Sequence, residues 1–130
     1  MNDITQHLTS RLLKTVSTWT TKFDYHADFL AHKDNAYEFY FLFNFSLIKI
    51  SRFVIEFSLP TQLNPIPKAK VKVFFTCKER SDAEFDITFR FENQSLVHNL
   101  KNTIRHSQLE VTLYDLFVSP FLEMDSKNSQ

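Results

Sequence analysis

From Tyr37 to Leu59 the chain alternates between large apolar and other side chains. Tyr37, Phe39, Phe41, Phe43, Phe45 and Leu47 fall on odd positions, and so do Phe53, Ile55, Phe57 and Leu59. Period-two alternation in aromatic and β-branched residues predicts strand with one buried face. The stretch is too long for one flat strand, which typically runs about five to six residues. Its parity also slips, because Ile48 and Ile50 are apolar on even positions. A slip of one residue turns side chains to the other face. The pattern therefore predicts a turn or a bulge between Ile48 and Arg52, with the turn preferred.

The flanking segments carry their own periods. Asp3 and Gln6 have the spacing of a helix cap and its partner. Behind them Ile4, Leu8, Leu12, Val16 and Trp19 share a stripe about 120° wide at helical spacing, which predicts a helix over Ile4–Thr18. Thr15, Thr18, Thr20 and Thr21 are poor helix formers and favour a change to strand. Phe23, Tyr25, Ala27 and Phe29 then alternate with Lys22, Asp24, His26 and Asp28, predicting a strand over Lys22–Leu30. His32–Asn35 is a turn. Pro60, Pro65 and Pro67 make Pro60–Lys68 a loop.

Two alternating runs follow. Val71, Val73, Phe75 and Cys77 form the first, and Phe85, Ile87, Phe89 and Phe91 the second. As a hairpin they would place Cys77 across from Phe85 and Val73 across from Phe89. Lys78 would then face Glu84 and Lys70 would face Glu92, both favourable, while Lys72 would face Arg90, which is not. Leu96, Val97, Leu100 and Ile104 predict a second helix over about 93–107. Leu109, Val111 and Leu113 predict a last strand running to Val118, ended by Pro120. The order of elements is that of an α+β fold. We expect a single curved antiparallel sheet of about six strands, with the N-terminal helix and the helix at about 93–107 on its Phe-rich face. Residues 1–118 form one domain in this reading, and 119–130 a polar, flexible tail.

Composition removes more function classes than it suggests. The 130 residues include no glycine. Phosphate-cradling loops, dinucleotide fingerprints and nucleophile elbows all need glycine for close backbone approach, so those classes drop out. Turns at positive φ must use Asn or Asp. Fifteen basic and 15 acidic residues balance, which disfavours nucleic acid as a partner. The single cysteine, Cys77, can make neither an internal disulfide nor a cysteine-rich zinc site, and its position predicts a buried, inert thiol. No signal peptide and no membrane span are apparent, and a cytoplasmic location is expected.

Each candidate for chemistry has an ordinary reading beside it. Asp24, His26 and Asp28 would sit about 7 Å apart on one strand face. That could serve acid–base work or a divalent metal, and it is equally the outer face of an amphipathic strand. Arg11 and Lys14 on the first helix, with Lys101 and Arg105 on the second, could present basic faces to phosphate or to an acidic protein. Solvated helix faces look the same. The five histidines lack metal-ligand spacing, and no cofactor is expected. The strongest signal is on the sheet. Tyr40, Leu42, Val54 and Phe74 are large and apolar at even positions, opposite the Phe-rich face, where an exposed sheet would be polar. Such residues imply a partner, a ligand or a second layer.

No motif links this order of elements to a particular family. The leading expectation is a small non-enzymatic protein-interaction module, of the adaptor, inhibitor or immunity type. It would act through its sheet surface or edge, on a protein partner or by homodimerisation. The alternatives are a binder of an apolar small molecule between helices and sheet, and a small enzyme or metal protein using Asp24, His26 and Asp28.

Overall fold

A computed structural model describes the backbone of residues 3–24, 28–33, 36–45, 48–77, 84–104 and 107–128, and side chains outside 22–52 and 76–83. A helix opens the chain, α1 (Asp3–Asp24). Strands follow: β1 (Asp28–Lys33), β2 (Ala36–Phe45), β3 (Ile48–Ser58), β4 (Lys68–Cys77), β5 (Phe85–Glu92) and β6 (Ser95–Asn102). The chain closes on α2 (Ser107–Leu113), a π-helical turn (Tyr114–Val118) and α3 (Ser119–Lys127). Among the described residues the strands neighbour one another in chain order, and every pairing is antiparallel. The result is an α+β fold with a helix at each end of the sequence. No described helix is long and apolar enough to cross a membrane.

The first helix runs past Thr18, where a change to strand was expected. The hydroxyls of Thr9, Thr15, Thr18 and Thr21 each donate to the carbonyl four residues back, at 2.8–2.9 Å. Thr20 donates to Ser17 O at 2.9 Å. A hydroxyl satisfied inside the helix no longer competes with it. Leu8, Leu12, Val16 and Trp19 are buried as the stripe predicts.

The parity slip has two causes acting together. The chain reverses between Phe45 and Ile48, earlier than expected, and β3 then carries a bulge. Ile50 pairs with Phe75 and Phe53 with Val73, so three residues of β3 span what β4 spans in two. In β2, Phe39 pairs with Phe53 and Phe43 with Ile50, so the same interval takes four residues. The lengthening from strand to strand bends the sheet at this level, as bulges do. It also absorbs the slip, so Ile48 and Ile50 pair with Cys77 and Phe75 in continuation of the Phe53–Val73 set.

The pairing of β4 with β5 is displaced from the expected one. Val73 pairs with Phe85, and Ala69 with Phe89. Lys72 then lies across from Asp86 instead of Arg90, which removes a repulsion. Lys70 lies across from Thr88, not Glu92, and Lys68 across from Arg90.

The C-terminal third reverses the expected order of helix and strand. Residues 95–102 are β6, joined to β5 by a two-residue turn in which Asn93 and Gln94 have φ of 51° and 66°. Asn and a glutamine do here what hairpins commonly assign to Asn-Gly. Leu96, His98, Leu100 and Asn102 pair with the buried odd residues of β5 and are themselves half-buried. The inward positions of this edge strand alternate apolar with polar, which hid the period of two. The expected strand over 109–118 is helical. Leu109, Leu113, Phe117, Phe121 and Asp125 are all buried and recur every four residues.

Pro120 lies inside this helical stretch and does not end an element there. Leu113, Val118 and Ser119 all remain right-handed helical, and Ser119 N–H donates to Tyr114 O, five residues back. The wide turn makes room for a proline ring that would clash with the carbonyl four residues before it. The expected loose tail is therefore ordered as α3 through Lys127, with Phe121 fully buried.

All three helices lie on the Phe-rich face. Trp19 is fully buried, with its ring centroid 5.7 Å from Phe53, 6.2 Å from Phe117 and 5.3 Å from Phe121. Phe121 stacks on Phe89 at 4.1 Å.

Candidate functional site

The opposite face of the sheet carries the site. Strand alternation sends Lys68, Lys70, Lys72 and Phe74 of β4 away from the helices, beside Val54 and Glu56 of β3. Asp86, Thr88 and Arg90 of β5 continue the face. Val54, Phe74, Asp86 and Arg90 are half-buried, and Glu56, Lys68, Lys70 and Lys72 are exposed. Val54, Glu56, Lys70, Lys72 and Phe74 line a shallow recess of about 170 Å³. Lys72 Nζ stands 5.8 Å from the Phe74 ring centroid, within cation–π range. Among the described residues Val54 and Phe74 are the apolar side chains at the centre of this face, in a charged frame, and half-buried Val97 of β6 lies across from Arg90 at its edge. The backbones of Tyr40 and Leu42 lie on β2, at and just beyond the pairing with Arg52; their side chains lie outside the described set.

Asp86 faces Lys72 from the neighbouring strand. Burial raises its carboxyl above the usual Asp value of 3.8; Lys72 works against the rise, and the Glu84 carboxylate adds to it. Its Oδ1 is buried without a hydrogen-bond partner. At the end of β3 and β4 the loop 59–67 is held by Thr61 N–H donating to Asn64 O at 2.8 Å, and by Asn64 N–H donating to Thr61 Oγ1 at 3.0 Å. This closed turn leaves Leu63 92% exposed. Nothing in the sequence singled Leu63 out; an apolar residue between prolines is the signal that was there.

The basic faces do not form as expected. Arg11 is an internal tie. Its Nε and Nη2 donate to Asp125 Oδ1 and Oδ2 at 2.8 and 2.6 Å, and its Nη1 donates to Gln94 O at 2.8 Å. The guanidinium also lies 5.0 Å from the Phe91 ring centroid. Thr15 Oγ1 lies 3.5 Å from Asp125 Oδ1. The arrangement is a bidentate pair largely shielded from water, with Nη1 also hydrogen-bonded. Lys14 is exposed on α1. Lys101 is on strand β6, not on a helix, 3.6 Å from Glu84. Arg105 lies outside the described residues.

The strand expected over Lys22–Leu30, which would have carried Asp24, His26 and Asp28 on one face, does not form. Asp24 ends a helix and Asp28 begins a strand, so the three do not alternate along one strand; His26 lies outside the described residues. Among the described residues no group of His, Cys, Asp and Glu could hold a metal ion. Cys77 ends β4 across from Ile48.

No curated protein and no solved structure matches the chain. The model of a protein family described as "AKAP28: 28 kDa A-kinase anchor" matches residues 5–114, which covers α1, every strand of the sheet and α2. That span is most of the 130 residues. The chain belongs to the 28 kDa A-kinase anchor family.

Proposed function

We propose that this chain is a non-enzymatic anchoring module that holds a protein partner on the outer face of a curved sheet of about six strands. The family's description names A-kinase, and A-kinase is the partner this reading assigns. The observation that carries the choice of surface is the Val54–Phe74 recess within Glu56, Lys70 and Lys72. At about 170 Å³ it falls below the usual range for small-molecule sites, about 300–1,000 Å³. It is large enough for one anchoring side chain of a protein, and interfaces concentrate their energy in such anchors. Tyr40 and Leu42, next along β2, extend the same surface in this reading. The module acts as one domain, in the cytoplasm.

The test is a binding titration of A-kinase against the wild-type chain, Val54→Asp and Phe74→Ser. Burying a charge or removing a ring in the recess should weaken binding by about tenfold or more, as for central interface residues. Unchanged affinity in both variants, with circular dichroism showing an intact fold, would reject the outer face as the binding surface.

A further inference from the structure

We propose that the outer face takes an acidic helix of its protein partner, with one apolar side chain seated between Val54 and Phe74 and carboxylates over Lys68, Lys70 and Lys72. This rests on the reading of that face as the binding surface, and it adds the chemistry of what is bound. The three lysines leave β4 on one side, at alternate positions about 7 Å apart. All are exposed, and among the described residues none takes part in an ion pair. The acidic side chains beside them are few. Glu56 lies across from Lys70 and Asp86 across from Lys72, but Lys68 has Ser58 on one side and Arg90 on the other. Arg90 is itself paired with Glu92 at 3.2 Å, so the cationic charge of the face is that of the β4 row, where Lys68 has no acidic residue directly across from it.

Spacing and backbone chemistry select the occupant. Carboxylates four residues apart on a helix are about 6 Å apart along its axis, close to the lysine repeat. A helix satisfies its own backbone and can lie on a sheet face, whereas an extended segment laid flat there would leave its amides unpaired. The row from Phe74 to Lys68 spans about 20 Å, or nearly four helical turns. A continuous polyanion fits less well. Glu56 is on the rim of the recess and Asp86 stands beside it, and both would repel evenly spaced phosphates.

Displayed peptides of about 16 residues, long enough to cover the row as a helix, are selected on the intact chain. Those recovered are then titrated by fluorescence anisotropy against the wild type, Lys70→Glu/Lys72→Glu and Val54→Asp. The expected peptides are rich in Asp and Glu around one large apolar residue. The double charge reversal should weaken them by about tenfold or more at low salt, less at high salt. If that variant is unfolded by circular dichroism, Lys70→Gln/Lys72→Gln takes its place. Recovery of no peptides, or of peptides without an acidic bias, overturns the proposal. So does binding that ignores the lysine changes. If binding is then still lost in Val54→Asp, the recess is the binding surface and only the acidic partner is wrong; if neither change matters, the outer-face reading falls with it. Tighter binding of a single-stranded oligonucleotide or phosphatidylserine vesicles than of the peptides also overturns it.

Discussion

Phe121→Ala tests whether the C-terminal helix belongs to the core. The ring has no exposure, stacks on Phe89 at 4.1 Å and meets Trp19 edge-on at 5.3 Å. Truncating a buried phenylalanine to alanine costs about 3–5 kcal/mol. The ring is fully enclosed and makes two aromatic contacts, each worth about 0.5–1.5 kcal/mol beyond its area, so a value near 4 kcal/mol is expected. That is a large fraction of the 5–15 kcal/mol typical of a whole domain. Urea unfolding followed by fluorescence is the assay, because Trp19 is the chain's single tryptophan and lies against Phe121. Its emission should shift to the red in the folded variant as the cavity opens beside it. Glu123→Ala, exposed on the same helix, is the control and should change stability by less than about 0.5 kcal/mol. A loss under about 1 kcal/mol for Phe121→Ala, with unchanged Trp19 emission, would refute the packing. Residues after Val118 would then be the loose tail that their polarity suggests.

Other expectations follow from single contacts. Asp125→Ala strands the Arg11 guanidinium and should cost about 3 kcal/mol in chemical denaturation, as breaking a shielded pair does. Arg11→Met/Asp125→Leu should recover most of that loss, and a double variant no better than the single would argue against the pair. Gln94→Gly relieves a non-glycine residue at φ 66° and should raise stability by up to about 1 kcal/mol; a decrease would count against that turn geometry. Asp86 has its carboxyl raised on folding, chiefly by burial, so the folded state holds its proton more tightly than the unfolded one. Its contribution is favourable below the usual value of 3.8 and is lost as pH rises through the folded value. Asp86→Asn should therefore flatten the fall in stability as pH rises above about 4. A pH–stability curve that overlays the wild type would show that Asp86 does not titrate abnormally.

What the sequence made legible was period where period was pure. Leu8, Leu12, Val16 and Trp19 form the buried stripe their spacing implies, and the odd residues of β3 from Phe53 to Phe57, of β4 from Ala69 to Val73 and of β5 from Phe85 to Phe91 are core. Two kinds of information were missing. Register depends on which residues meet across strands, and Lys72 could be matched with Asp86 only once the long β4–β5 connection was known. Local breakers were also given too much weight: threonines hydrogen-bonded back into α1, and a π turn carried the chain through Pro120. At the outer face, Val54 and Phe74 stood out as apolar residues on the wrong parity. The lysines beside them looked like ordinary solvated positions until pairing placed them around a recess. Arg11 was misread because a lone arginine on a helix looks solvated, and its carboxylate lies 114 residues away.

That last separation bears on how the chain closes during synthesis. The strands are sequential neighbours, so each can pair soon after it leaves the ribosome. Helix α1 precedes the whole sheet in the chain, yet its Trp19 and Arg11 wait for Phe117, Phe121 and Asp125, which follow the sheet. At about 5–20 residues per second, the uncovered interval lasts roughly five to twenty seconds. Through it the growing chain presents a half-covered aromatic layer, and chaperone occupancy should peak on nascent chains that have completed the sheet but not α3.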